Sequence, residues 1–255
     1  MTETVVLTRL DGVLEIRLNR PEKKNALTRD MYDAMASAFR QIDADPTLRV
    51  GLLTGTGDTF TSGNDIADFQ ARASSNGESS ASTFLPTISK MQKPLVAAVN
   101  GAAIGVGTTL LMHCDLIVAA RSARFVMPFT SLGLVPEAGS SLLFPRLLGT
   151  QRASALLLLG EPLDAPTAHD WGFVNRLVDD GELPHVARDI AQRLAGLPPQ
   201  AVRETKRLIR HGPAELAARM EMELQLFREH LTSPEAAEAF RAFMEKRKPD
   251  FSQFA

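Results

Sequence analysis

The 255 residues predict an α/β fold that closes in a run of helices. Strand-like and helix-like periodicities alternate from the N-terminus to about Val178, whereas from about Leu183 only helical periodicity remains. A hydrophobic content of 44% is ample for a packed core, so disorder is not the default.

Each element follows from local pattern. Val5 to Leu10 and Val13 to Leu18 alternate apolar and polar residues about Asp11-Gly12, which predicts two strands joined by a tight hairpin. Asn19 to Asn25 is a polar loop. Thr28 is placed to cap a helix whose Met31, Met35, Ala38, Phe39 and Ile42 share a face. Val50 to Thr54 is a short buried strand. Gly55 to Asp65 is too rich in Gly, Thr and Asp for a regular element and is expected to be a loop that presents backbone amides. Residues 72 to 82, rich in Ser, Ala and Gly, read as mobile, and a helix is expected from about Thr83 to Met91. Pro94 to Val99 is a wholly apolar strand. Gly101 to Leu111 then passes from turn residues into a helix as a second amide-presenting turn. Further strands are expected at Cys114 to Ala120, Phe125 to Phe129 and Val174 to Val178, and further helices at Glu137 to Leu147, Gln151 to Leu159 and Ala165 to Trp171. In the last quarter Val186, Ile190 and Leu194 share one face, Val202, Thr205 and Ile209 another, and Leu216, Met220, Glu223 and Phe227 a third. Pro198-Pro199, Gly212-Pro213 and Ser233-Pro234 separate these helices. Their apolar faces predict an appendage that packs on the core or on another subunit.

Charge and motif content narrow the function. The net charge is −2, with Lys and Arg scattered, which gives a nucleic-acid groove or a membrane-surface helix no electrostatic support. The single cysteine, Cys114, lies in an apolar run and reads as a small buried hydrophobe. No signal-peptide order opens the chain, no run is long enough to span a bilayer, and Ser-Gln-Phe-Ala at the end is not a peroxisomal address, so a cytoplasmic protein is expected. Metalloprotease, zinc, P-loop and α/β-hydrolase motifs do not occur, and no metal site is expected. Gly105-Val-Gly107-Thr-Thr-Leu110 begins like a dinucleotide fingerprint, but Leu stands where Gly or Ala is needed and no ribose-binding acid follows about 20 residues on. The five histidines are isolated and read as surface or structural residues, with His113 the one beside the second turn.

What remains is one carboxylate in apolar surroundings. Leu132, Leu134 and Val135 precede Glu137, and Leu142, Leu143 and Phe144 follow it, so burial here would desolvate the charged form and favour proton exchange near working pH. The same run also reads as a helix opening, with Pro136 early and Glu137 in the first turn, where the dipole favours an acid. Two Gly-rich turns accompany it, at residues 63 to 64 and 105 to 107. Removing a proton α to a carbonyl requires stabilising the enolate oxygen, and two backbone N–H groups do this without water; losing one such donor typically costs roughly 3 to 4 kcal/mol. One base and two amides are a sufficient enolisation site.

Ser62-Gly-Asn-Asp-Ile66, Asn100-Gly-Ala-Ala-Ile-Gly-Val-Gly107 with Cys114-Asp115 after it, and Leu132-Gly-Leu-Val-Pro-Glu-Ala-Gly139 closely resemble, in order and spacing, the signature of the crotonase (enoyl-CoA hydratase/isomerase) superfamily. The Asn19-Arg-Pro opening through Asn25-Ala-Leu27 and Leu197-Pro-Pro-x-Ala-Val-x-x-x-Lys206 belong to the same pattern, so the resemblance covers nearly the whole chain. It implies a ClpP/crotonase-like spiral of ββα units over residues 1–195, with a C-terminal helical region over 196–255 that builds a homotrimer or a dimer of trimers. It further implies an acyl-CoA thioester as substrate, CoA being part of that substrate and no other cofactor being needed. Carried over by position, the oxyanion hole falls on the backbone N–H groups of Asn64 and Val106. CoA contacts fall on Lys23, Lys24, Asp65, Ile66, Phe243 and Lys246, although as loop charges Lys23 and Lys24 are equally ordinary solvated residues and Asp65 could close an Asx turn.

The carboxylates separate reactions within the family. The two positions where hydratases carry glutamates hold Thr109 and Phe129, neither of which can act as a carboxylate base. Glu137 instead resembles the single glutamate of the peroxisomal-type Δ3,Δ2-enoyl-CoA isomerases, which implies that it moves a proton from C2 to C4 of a 3-enoyl-CoA. A hydratase or other crotonase-type activity, and a non-catalytic acyl-CoA-binding homologue, are the alternatives.

Overall fold

In a computed structural model, residues 3–65, 80–210 and 212–254 are described. The chain opens with the expected hairpin. β1 (Val5–Leu10) pairs antiparallel with β2 (Val13–Leu18), and Asp11 and Gly12, at φ 48° and 79°, make the left-handed turn that matches the strand twist. Helix α1 (Arg29–Ala44) starts where Thr28 Oγ1 accepts from the Met31 N–H, and it buries the predicted face.

The architecture then repeats. A strand of a large sheet is followed by a short strand of a second sheet, three times over: β3 (Val50–Gly55) then β4 (Thr59–Thr61), β5 (Leu95–Val99) then β6 (Ala102–Ile104), and β7 (Leu116–Ala120) then β8 (Arg124–Val126). The large sheet has the order β1-β2-β3-β5-β7-β10, with β10 at Arg176–Val178, and is parallel beyond the hairpin. The small sheet has the order β4-β6-β8-β9, β9 being Leu163–Asp164. This is an α/β fold of strand pairs that step from one sheet to the other.

Because successive side chains alternate faces, one strand serves two cores. Leu95, Ala97 and Val99 face the main core with Phe39 and Ile42 of α1, while Val96 and Ala98 face a second cluster. That second layer is closed by Leu183, Ala187 and Ala191 of α7 (Leu183–Ala195). The first predicted C-terminal helix is thus part of the sandwich. The remaining helices are α2 (Ser80–Ser89), α3 (Val106–Thr109), α4 (Ser140–Leu148), α5 (Thr150–Leu158), α6 (Ala165–Asp170), α8 (Pro199–Ile209), α9 (Pro213–Leu231) and α10 (Pro234–Met244). Phe227 of α9 and Ala236 and Phe240 of α10 enter the main core, so the last helices also pack on their own chain.

The expected loop at Gly55 to Asp65 contains β4, and the expected strand at Phe125 to Phe129 ends at Val126. The expected helix at Thr83 to Met91 begins three residues earlier, at Ser80. Of the stretch expected to be mobile, 72–79 lie outside the described residues. No described helix is long and apolar enough to cross a membrane.

Candidate active site

Two backbone turns meet at the end of the small sheet. After β4 the chain enters Ser62-Gly63-Asn64-Asp65, where Gly63 has φ 86° and an added Cβ would stand 2.8 Å from the Ile104 carbonyl oxygen. Only glycine allows this approach. Leu27 bridges the turn from one side, its N–H donating to Gly63 O at 2.8 Å and its carbonyl accepting from Asp65 N at 3.0 Å. In a parallel bridge of that kind the N–H of the middle residue, Asn64, points to the opposite side. The Asn64 side chain is held as well, since Tyr32 Oη donates to its Oδ1 at 2.7 Å. Beneath lies Asn25, fully buried, whose Nδ2 donates to Thr56 O and Thr59 O, while Thr61 Oγ1 donates to Asn25 O.

The second turn follows β6. Gly105 N donates to Val126 O at 2.8 Å, and Val106 is the first residue of α3, so its N–H points out of the helix N-terminus without an intrahelical partner. The close approach of Gly63 to the Ile104 carbonyl brings the two turns together.

Glu137 is buried, at 8% exposure, in the turn after Pro136. The sequence places it in the first turn of a helix, but α4 begins at Ser140, three residues later. Ala138 and Gly139 are both left-handed, at φ 62° and 72°, which interrupts any helix between Glu137 and Ser140. For Ala this conformation costs roughly 1 to 2 kcal/mol, so the surroundings must impose it. They do so from three sides. Ser140 donates to Glu137 O through its N–H at 3.1 Å and its hydroxyl at 2.6 Å. His113 Nε2 donates to Ala138 O at 2.8 Å. The acid at the N-terminus of α4 is Glu223 of α9, which accepts from Gly139 N at 2.5 Å, Ser141 N at 3.0 Å and Ser141 Oγ at 2.5 Å. Burial pushes the Glu223 carboxyl above the usual carboxylate range, and these hydrogen bonds pull it part of the way back.

His113, read from the sequence as an isolated structural residue, ties the segment that follows α3 to the Glu137 turn. A carbonyl only accepts, so Nε2 carries the proton. Burial pushes the imidazole down to about 4, against the Ala138 hydrogen bond. An unfolded His takes up its proton near 6.5, so between those values the unfolded chain binds more protons and stability rises with pH. The His113 contribution is therefore full above pH 6.5, and about 3 kcal/mol of it is lost as pH falls to 4. Urea midpoints measured from pH 7 to 4.5 are expected to fall in the wild type and to flatten in His113→Gln.

The two hydratase positions carry no carboxylate in space either. Thr109 is fully buried in α3, and Phe129 packs edge-on against Phe227, with ring centroids 6.5 Å apart. Among the described residues the buried acids are Glu15, Glu137, Glu223 and Glu238. Glu15 pairs with Arg17 and Arg188, and Glu238 with Arg241 and Arg247. Glu223 caps α4, and Glu137 is next to the Ala138 carbonyl held by His113, which ends the segment that follows α3.

Of the residues expected to meet CoA, Lys23 and Lys24 are exposed, and Lys24 O accepts from Ser62 N, which joins their loop to the first turn. The Asp65 carboxylate is engaged by Arg20 at 2.8 Å in an ion pair. Phe243, 57% exposed, lies at the far end of α10, which packs on the Thr130–Leu132 turn, and Lys246 follows two residues beyond the helix. Ile66 lies outside the described residues. The signature residues Asp115 and Lys206 prove to be structural. Lys206 Nζ, buried, donates to Asp115 Oδ2 and to Lys93 O, both at 2.7 Å, and Arg210 reaches Asp115 Oδ1 and His113 O. Asp115→Ala leaves that ammonium buried without its counter-charge and is expected to cost about 3 to 5 kcal/mol in urea unfolding. Cys114, expected to be buried, is partly buried against the main core, and its surroundings push the thiol up to about 12. Among the described residues no group of three or more His, Cys, Asp or Glu could hold a metal.

The family model described as enoyl-CoA hydratase/isomerase matches residues 8–254. The chain is 37% identical to the 1,2-epoxyphenylacetyl-CoA isomerase of Escherichia coli (strain K12), over 94% of this chain and 95% of that one. It is also 37% identical to the carnitinyl-CoA dehydratase of Salmonella typhi, over 98% of both. The crystal structure of an enoyl-CoA hydratase/isomerase from Pseudoalteromonas atlantica T6c superposes with a TM-score of 0.94 at 45% identity, covering 98% of this chain and all of that one. One relative bears the name of an isomerase and another that of a dehydratase, so kinship to the Δ3,Δ2-enoyl-CoA isomerases in particular is not shown. Motifs, fold and full-length similarity together establish that this chain belongs to the enoyl-CoA hydratase/isomerase family.

Proposed function

We propose that the protein is a Δ3,Δ2-enoyl-CoA isomerase that works with a single base. The observation that supports this reading is a buried acid, Glu137, next to the Ala138 carbonyl that His113 ties to the segment following α3, while Thr109 and Phe129 occupy the hydratase glutamate positions. Glu137 takes a C2 proton from a 3-enoyl-CoA. The electrons pass into the dienolate, whose oxygen accepts from the Asn64 and Val106 amides, and the protonated carboxyl returns the proton at C4. No water enters the balance.

CoA contacts at Lys23, Lys24, Asp65, Ile66, Phe243 and Lys246 are part of the proposal, with Asp65 acting through its backbone because Arg20 engages its carboxylate. So is a homotrimer, single or doubled, built with residues 196–255, on which Leu208, Ile209, Met222 and Met244 stand exposed.

Purified protein is to be given a 3-enoyl-CoA and, separately, a 2-enoyl-CoA. Isomerisation is expected to exceed water addition by about 100-fold, equivalent to about 2.7 kcal/mol of barrier. The name of the Salmonella typhi relative favours a second reading, hydration or dehydration. Water addition at an equal or higher rate would establish that one instead.

A further inference from the structure

Helix α9 does more at the Glu137 turn than cover it. Glu223 lies on its inner face, 5% exposed, between Met220 and Phe227, both of which pack with the main core. Both carboxylate oxygens are used, Oε2 on Gly139 N and Oε1 on the N–H and O–H of Ser141. All three partners are donors, which suits an ionised, acceptor-only group. The same helix closes the turn sterically: a Cβ on Gly139 would collide with Leu216 Cδ1 and approach Met220 Cγ at 3.3 Å. The held residues, Gly139 and Ser141, begin two positions after Glu137, and the residue between is an alanine in a left-handed conformation it does not favour.

We propose that Glu223 is a positioning residue for Glu137: its carboxylate, brought by α9 to the N-terminus of α4, holds the Ala138–Gly139 turn in the conformation that aims the base at substrate. The inference rests on the proposed proton-transfer role of Glu137. It makes the helical region a determinant of turnover, since without this anchor the left-handed alanine can relax and carry Glu137 with it. A residue that serves only as a helix cap would support the stability of α4 and leave the rate per folded molecule unchanged.

The test compares Glu223→Ala, Glu223→Gln and Glu137→Gln in the full-length protein by steady-state kinetics and by amide hydrogen exchange over residues 137–143. Glu223→Ala is expected to speed exchange at Gly139 and Ser141 and to lower kcat about 30- to 100-fold with KM within about twofold, as for a base displaced by about 1 Å. Glu223→Gln keeps one acceptor oxygen and should recover part of kcat. Unchanged exchange at those amides in Glu223→Ala overturns the inference whatever reaction the protein catalyses. So does faster exchange with kcat per folded molecule unchanged, or Gln and Ala variants that lose activity only in proportion to the unfolded fraction. Full turnover in Glu137→Gln would instead reject the single-base reading, and the exchange measurement would still report whether Glu223 holds the turn.

Discussion

Glu137→Gln is expected to lower conversion of 3-enoyl-CoA to 2-enoyl-CoA by about 10³-fold or more while leaving affinity for the CoA ester within about twofold. The replacement is nearly isosteric, so the buried turn keeps its packing, and Ser140 and His113 hold backbone carbonyls that the substitution does not touch. Only the capacity to accept a proton is lost. Since the hydratase positions hold Thr109 and Phe129, no carboxylate stands at either to take over. Turnover of the variant and of the wild type, each alongside an equilibrium titration with a saturated acyl-CoA, separates chemistry from binding. A variant that isomerises at the wild-type rate would reject Glu137 as the base.

Gly63→Ala is expected to reduce kcat about 10²- to 10³-fold, the usual consequence of removing one oxyanion donor. At φ 86° an L-residue is strained whatever its size, and here the new methyl would also meet the Ile104 carbonyl oxygen at 2.8 Å. That neighbour is backbone and cannot rotate aside, so the two turns must separate, and with them the Asn64 and Val106 amides proposed to hold the oxyanion. The same change should cost about 1 to 3 kcal/mol of stability, read from a thermal melt, so rates are to be compared per folded molecule. Wild-type kcat in a folded Gly63→Ala protein would show that the oxyanion is held elsewhere.

Elements whose stability is local were legible in the chain. The Asp11-Gly12 hairpin, the Thr28 cap and the apolar runs at 50–54 and 94–99 carry their own turn chemistry, capping or periodicity, and each appears within a residue or so of its expected place. The short strands β4, β6 and β9 were not legible. They are two or three residues long and are strands only because neighbours pair with them, which no periodicity in so short a span can signal. The start of α4 was misread for a related reason. Pro136-Glu137 is a good helix opening by composition, but the left-handed Ala138 is imposed by groups far off in sequence, His113 at 25 residues and Glu223 at 84 from the residues they hold. Glu223 was assigned to the correct helix face, and an acid on an apolar stripe was the available signal that it meets a buried partner.

The sequence by itself determined the longer strands and helices, the two glycine turns, the acid that follows them along the chain, and the absence of carboxylates at Thr109 and Phe129, because each is a property of residue type and spacing. The tertiary structure alone decided that Gly63 meets Ile104, that His113 and Glu223 fix the Glu137 turn, and that Lys206 serves Asp115. Those are contacts between segments distant along the chain, and buried donors and acceptors find their partners only once the sheets and helices have closed around them.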